Sequence, residues 1–409
     1  MSQVYVIGTG MIAFGKYPDR TLADIGWPSL REALLEAQVK PDTLDAIYCG
    51  TALGGMLAGQ RVAKALGLSG MPIVNVENAC SSSSSAMAQA CNAISSGRFD
   101  TVAVVGVEKL TKFGGGTLPL EAEDWENQQG MVMPALYAMR ANRYMHEHGL
   151  TESQLAEVAV KSHDHGALNP LAQIRKRVTL EEVMSARPVA GPFTLWHCCP
   201  TGDGSAAVIL ASQKVAHKAR PGAVRIAASE VTSGKYTNGY RDMTVAELTV
   251  RGSHEAYEMA GVGPDDIDVA EIHDAFTIAE LMYYEAFGWA GKGEAYGLLS
   301  SGATSLGGKI PVNPSGGLLS RGHPVGATGT AQAVEIVRQL EGRAGKHQVD
   351  GAKVGLTHAT GGGIAGFDHG ACSIHIFPSC RSARTHAATH APPQDRRAAS
   401  GLASCRRQL

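Results

Sequence analysis

Charge of one sign is scarce in this chain: 36 Lys and Arg stand against 38 Asp and Glu in 409 residues, a formal net charge of −2. A balance so close to neutral gives no global attraction to nucleic acid or to an anionic membrane. No apolar run is long enough to span a bilayer. The first residues, Met1-Ser-Gln-Val-Tyr-Val-Ile-Gly, pass straight into a strand pattern without a basic segment, an apolar stretch or a cleavage site, so a cytoplasmic, soluble protein is expected. The eight cysteines, at 49, 80, 91, 198, 199, 372, 380 and 405, include no C-x-x-C pair. That spacing indicates neither a disulfide framework nor a zinc ribbon, and no metal is expected in this chain. Phosphate-cradling patterns are missing too: the Gly-rich run 316–329 has no G-x-x-x-x-G-K-[ST], and its glycines do not follow a strand as G-x-G-x-x-G.

What the chain has is length and glycine, 49 of them, which suits a packed α/β protein with many close turns. Its size accommodates two core-bearing units or one large duplicated fold. Val4–Gly8 and 46–49 read as strands, and Leu22 to Ala37 as a helix, its apolar positions at helical spacing and Pro41 beyond its end. Residues 59–66 begin another helix. Thr101 to Val107 is nearly all apolar, the pattern of a central parallel strand covered on both faces. From 111 to 188 the character changes to a helical insertion, with a flexible turn at Gly114-Gly115-Gly116 and helix starts at Thr151 and Thr179, each followed by acidic or amide groups in the first turn. Residues 193–209 return to core, with a turn from Cys199 to Gly204.

The second half repeats the first. Pro41-Asp-Thr-Leu-Asp-Ala-Ile-Tyr-Cys-Gly lies over Pro264-Asp-Asp-Ile-Asp-Val-Ala-Glu-Ile-His without a gap; Pro72-Ile-Val-Asn before Cys80 matches Pro311-Val-Asn before the loop 316–329; and Val102–Val107 matches Lys353–Thr357. Strand and helix alternate in both copies, which predicts mostly parallel sheets with right-handed crossovers. The expected divisions are 1–110 with 189–222 as the first half, 111–188 as the insertion and 223–377 as the second half. After these, 378–409 reads as a disordered basic tail of Arg among Pro, Ser, Ala and His.

Three places fall at strand ends, where α/β sheets build their sites. Cys80 lies in Asn75-Val-Glu-Asn-Ala-Cys-Ser-Ser-Ser-Ser-Ser, a strand, a turn and the start of an Ala-rich helix, where a helix N-terminus favours a thiolate. His273 ends the strand Val269 to Ile272. His323 stands before the helix that duplication equates with the one Cys80 opens, so a pseudo-two-fold arrangement would make the two face one another. Singly, each is as well explained as a packed cysteine or a loop histidine. Together, a thiol and two histidines on one face supply what acyl transfer through a thioester requires.

Val-Glu-Asn-Ala-Cys80-Ser-Ser, His273-Asp-Ala-Phe-Thr, Asn313-Pro-Ser-Gly-Gly, Gly322-His323-Pro-Val-Gly-Ala-Thr-Gly and Thr360-Gly361-Gly-Gly resemble, in order and spacing, the thiolase superfamily. The likeness is to its sterol-carrier and lipid-transfer-protein branch, near the archaeal acetyl-CoA acetyltransferases, and covers about residues 2–377. It implies a five-layered αβαβα fold of two duplicated halves with a helical insertion. Coenzyme A would be the co-substrate of a Cys80 acyl-enzyme formed by thiolysis of a 3-oxoacyl-CoA. His323 would activate Cys80 and help hold the enolate oxygen, and His273 would stand where many thiolases place an Asn. The N–H groups of Cys80 and Gly361 would line an oxyanion hole. The resemblance further implies a homodimer and a small OB-fold, zinc-ribbon partner subunit.

One departure is sharp. The second cysteine with which thiolases move the enolate proton is replaced by Ala275 and Ala359 at its two known positions, while Cys372 reads as structural and His358 as pointing elsewhere. The resemblance therefore leaves several readings: thiolysis of a bulky or aromatic substrate of the benzoylsuccinyl-CoA type, retro-aldol cleavage, acyl transfer to an acceptor other than CoA, or a non-enzymatic lipid-binding scaffold. Retained Cys80 favours thiolysis.

Overall fold

The computed structural model describes residues 2–379, apart from 115, 117, 119–122, 124, 236–239 and 363–368. The expected basic tail lies, from residue 380 on, outside the described residues, as does Gly115 of the glycine turn.

The strands, in chain order, are β1 Val4–Met11, β2 Ala46–Gly50, β3 Ile73–Val76, β4 Thr101–Lys109, β5 Pro188–Ala190, β6 Phe193–Thr194, β7 Asp203–Ser212, β8 Val224–Ile226, β9 Ala228–Thr232, β10 Val269–Glu271, β11 Val354–Gly361 and β12 Ala371–Pro378. Of the two larger sheets, the first has the order β3-β2-β4-β7-β1-β8 and the second β10-β11-β12-β9, while β5 pairs with β6 alone. The second order repeats β2-β4-β7-β1 of the first. Where the first sheet continues into β3, Val312 makes a single parallel bridge to Ala270.

The expectation of mostly parallel sheets is corrected. β2 pairs in parallel with β3 and β4, and β10 with β11, but β4–β7, β1–β7, β1–β8, β11–β12 and β12–β9 are antiparallel. β4, buried along nearly its whole length, has a parallel neighbour on one side and an antiparallel one on the other. An apolar run records that a strand is covered on both faces; it does not record the direction of its neighbours.

Alternation along the strands sorts the side chains into layers. Val102 and Val104 of β4 face a core formed with Ala86, Met87 and Ala90 of helix Ser82–Ser95 and Ala331, Val334 and Val337 of helix Thr328–Leu340. Ala103, Val105 and Val107 face the opposite way, against Ile25 and Leu30 of helix Leu22–Ala37 and Val62 of helix Ala58–Ala65. The second sheet likewise turns Leu356, Ile374 and Ile376 toward helices Glu247–Ala260 and Thr277–Ala286. The result is helix, sheet, helix, sheet, helix: five layers, with the Ser82 and Thr328 helices in the middle.

Between β4 and β7 the chain is largely helical, with helices Met133–His148, Glu152–Gly166 and Leu180–Met184. Thr151 and Thr179 start the last two through reciprocal caps: each hydroxyl accepts an N–H three residues on, from Gln154 or Glu182, whose side chain accepts the threonine N–H. Tyr137, Tyr144 and Leu155 of the first two helices join the outer core of the second sheet.

Candidate active site

The serine run fits the middle layer because it is small and can bond to itself. The Ser82 hydroxyl donates to the Ala79 carbonyl at 2.6 Å and accepts the Asn78 N–H at 3.0 Å, while Asn78 Nδ2 donates to the Ser85 hydroxyl at 2.8 Å. These bonds hold a turn in which Ala79 adopts φ +48°, a left-handed conformation that costs an L-residue about 1–2 kcal/mol. Cys80 follows, within a single 3₁₀ turn ahead of the helix. The partner helix approaches so closely that a Cβ on Gly329 would lie 2.0 Å from the Ser84 hydroxyl. This contact between equivalent helices of the two halves brings the Cys80 turn beside the His323 loop.

His273 and His323 are held by a buried lattice behind them. Glu271 accepts from the Ser315 N–H at 3.0 Å, the Ser315 hydroxyl at 2.8 Å and Arg321 Nη1 at 2.8 Å. Asp274 accepts the Leu318 N–H at 2.7 Å, and Asn313 Oδ1 accepts the Ile272 N–H at 2.8 Å. The strand end carrying His273 and the loop carrying His323 are thus one polar assembly. Cys80 Sγ and one nitrogen from each histidine lie within 4.8 Å of one another, and the two imidazoles meet edge to face with centroids 5.1 Å apart.

The hydroxyl of Thr328 orients the His323 ring. The Thr328 hydroxyl lies 2.7 Å from His323 Nδ1 and 3.1 Å from the Pro324 carbonyl; when its one proton goes to the carbonyl it accepts from Nδ1, and Nε2 is the basic nitrogen. Burial, with the Arg321 charge behind it, lowers His323 to about 3. His273 is likewise driven well down by burial and by its histidine neighbours. The expectation that a helix start makes Cys80 a ready thiolate is corrected. Burial pushes its thiol up to about 12, against the pull of the Gly362 N–H, and the Glu108 charge adds to the rise. The resting pair is a neutral thiol beside neutral imidazoles. A sulfur and two imidazole nitrogens are also a donor set that zinc accepts, but a metal would first have to displace the thiol proton.

Gly361 runs against the Cys80 turn, so tightly that a Cβ there would lie 2.0 Å from the Asn78 carbonyl. The next N–H, that of Gly362, is the one that meets the Cys80 sulfur. His358 faces the outer helices, bonded to the Thr249 hydroxyl at 3.0 Å and edge-on to Tyr283 and Phe287. Cys372 is buried on the side of helix Glu247–Ala260.

Two features escaped the sequence reading. Glu108, fully buried at the end of β4, accepts from the N–H groups of Ala52, Leu53 and Gly326 at 2.8, 3.2 and 3.1 Å, tying the first half to the His323 loop. A lone glutamate closing an apolar strand was its signal. The Cys198–Cys199 segment lies along Ala275 and Phe276, with the Cys199 N–H donating to the Ala275 carbonyl at 2.9 Å. Nothing in the sequence marked that contact between segments so far apart.

Comparison with known proteins follows the same division. The thiolase N-terminal domain model matches residues 4–178 and the thiolase C-terminal domain-like model residues 229–368. An acetyl-CoA acetyltransferase of Methanothermobacter thermautotrophicus is 40% identical over 92% of this chain and 100% of its own length. Benzoylsuccinyl-CoA thiolase subunit BbsB of Thauera aromatica is also 40% identical, over 88% of this chain and 95% of its own. Among solved structures, one described as Ltp2-ChsH2(DUF35) aldolase superposes with a TM-score of 0.81 at 24% identity, covering 93% of this chain and 99% of that one.

Proposed function

The chain belongs to the thiolase family of acyltransferases, and from that premise we propose that it cleaves a 3-oxoacyl-CoA with free coenzyme A through an acyl group carried on Cys80. The observation that carries the reading is the meeting of Cys80, His273 and His323 within 4.8 Å. His323 Nε2 takes the Cys80 proton as the sulfur attacks the ketone carbon, so the thiolate exists only as it is consumed. The oxyanion formed there meets the N–H of Cys80 and the backbone at Gly361 and Gly362. Breakage of the C2–C3 bond leaves an enolate whose oxygen faces His273 and His323, and coenzyme A then collects the acyl group from Cys80.

For the acyl chain we propose a bulky aromatic group of the benzoylsuccinyl type. The likeness to a benzoylsuccinyl-CoA thiolase subunit supports it, as do the stacked rings of Tyr137, Phe276 and Phe193, with centroids 4.6 and 5.7 Å apart beside the His273 segment. A homodimer is proposed through the edge of the first sheet, where β3 is unpaired on one side, Val74 is half-exposed, and Met56 and Leu57 are exposed nearby. A small OB-fold, zinc-ribbon subunit is proposed as a partner, supported by the likeness to the structure described as Ltp2-ChsH2(DUF35) aldolase.

A second reading, retro-aldol cleavage, is favoured by Ala275 and Ala359 and needs no nucleophilic thiol. Cys80→Ala separates the two. Thiolysis and the acyl adduct on residue 80, read by mass spectrometry with candidate 3-oxoacyl-CoAs, are expected to disappear, with a loss of at least about 10³-fold in kcat. Turnover that survives this substitution belongs to the aldol reading.

A further inference from the structure

Thiolysis has a second proton to move, and the three residues above do not account for it: the enolate released by C2–C3 cleavage must be protonated at carbon. Among the described residues most groups near the site are committed elsewhere. His358 and Cys372 face the outer helices. His369 is held at both nitrogens, to the Gly362 carbonyl at 2.6 Å and the Tyr137 hydroxyl at 2.8 Å. Of the described thiols, Cys49, Cys91 and Cys372 are buried, and only Cys80, Cys198 and Cys199 are part-exposed. Cys198 turns back to the Thr194 carbonyl, 3.7 Å from its sulfur.

Cys199 is placed differently. It opens the turn that runs into β7, and this turn is wedged between both histidine loops. On one side the Cys199 N–H bonds to the Ala275 carbonyl at 2.9 Å, two residues beyond His273. On the other, Gln173 donates to the Thr201 carbonyl at 3.1 Å, and a Cβ on Gly322 or Gly204 would lie 2.6 Å from Gln173 or 2.8 Å from Pro324, the residues around His323. Cys199 has Cys198, Cys80 and Asp274 as its titratable neighbours, and burial holds its thiol in the protonated form. At the same end, His273 is 3% exposed and its Nδ1 has no partner among the described residues, a buried polar atom left open beside the Cys199 turn.

We propose that Cys199 is the second thiol of this site, supplied by the turn before β7 to the space beside Ala275 and acting on the enolate carbon of the substrate. The proposal rests on the thiolase reading above. The Cys80 proton goes to His323, its sulfur bonds to C3, and the C2–C3 electron pair passes to the enolate. Cys199 S–H gives its proton to C2, closing the first product, and is left as a thiolate. His323 returns a proton to the Cys199 thiolate as the first product leaves, then takes the thiol proton of coenzyme A as it attacks the acyl carbon on Cys80. The departing Cys80 sulfur recovers the proton held by His323. Every proton is returned, and no reagent beyond coenzyme A is consumed.

The test uses the intact chain with benzoyl-CoA as acyl donor and succinyl-CoA as enolate source in D₂O, following deuterium entry at the succinyl α-carbon beside benzoylation of Cys80 by mass spectrometry. Cys199→Ala and Cys199→Ser are expected to acylate Cys80 as the parent does, while α-carbon exchange falls at least about 100-fold, within the range general acid–base catalysis supplies. Circular dichroism identifies a variant that fails to fold, and the isosteric serine keeps the comparison open in that case. A purely structural role would depress acylation and exchange together and overturns the proposal, as does undiminished exchange in both variants. A parent enzyme that never acylates Cys80 overturns the thiolase reading itself, an outcome distinct from either.

Discussion

Cys80 depends on its neighbours' backbones more than on their side chains. The strand carrying Gly361 passes the Asn78–Ser81 turn with no room for a methyl group. Gly361→Ala must therefore move either the backbone proposed to bind the oxyanion or the turn. The expected result is a stability loss of about 1–3 kcal/mol, the usual cost of overpacking, with kcat falling at least about tenfold; equilibrium urea unfolding and steady-state rates measure the two. Unchanged kcat would mean that the backbone at 361 is not part of the reaction. That Cys80, His273 and His323 come together was legible in the sequence, because the duplication puts them at related strand ends. The protonation of Cys80 was not. A helix start argues for a thiolate, and only the depth of burial, which no local pattern records, reverses it.

At the scale of elements, the loop carrying His323 and the strand end carrying His273 are joined by a salt bridge whose partners, Arg321 and Glu271, are 1% and 0% exposed. Removing one charge leaves the other buried and uncompensated, which costs about 3–5 kcal/mol. Arg321→Met is expected to lower the urea midpoint accordingly, and Glu271→Gln combined with it to recover part of the loss. A double variant as unstable as the sum of the two singles would show that the pair is not coupled. The helices and the repeat could be read from periodicity and spacing, down to the caps at Thr151 and Thr179, whereas the five layers were implied only by the family resemblance. Strand direction could not: β7 and β12 each return antiparallel beside a parallel pair, and burial on both faces looks the same either way.

Over the whole molecule, no helix among the described residues is long and apolar enough to cross a membrane. The interior is instead rich in neutral histidine. Burial holds His163, His165, His197, His273, His323, His358, His369 and His375 below the ordinary imidazole value. A group whose folded pKa is depressed contributes stability that is present above its unfolded value, about 6.5, and is lost as pH falls toward the folded values. Five carboxylates raised by burial, Glu108, Glu230, Glu271, Asp274 and Glu285, act in the opposite sense but are fewer. The melting temperature is therefore expected to fall steadily from about pH 6.5 toward pH 4, measured by calorimetry. A flat or rising profile over that range would rule out these histidines as the controlling groups.

The part-exposed but protonated Cys80 also bears on how the protein ages. Peroxides and alkylating agents attack thiolates, so a sulfur kept as a thiol is shielded from them, and in the proposed reaction that shielding lasts until a substrate carbonyl arrives. Here selectivity between substrate and oxidant comes from when the proton leaves the sulfur, and the enzyme at rest is chemically quiet.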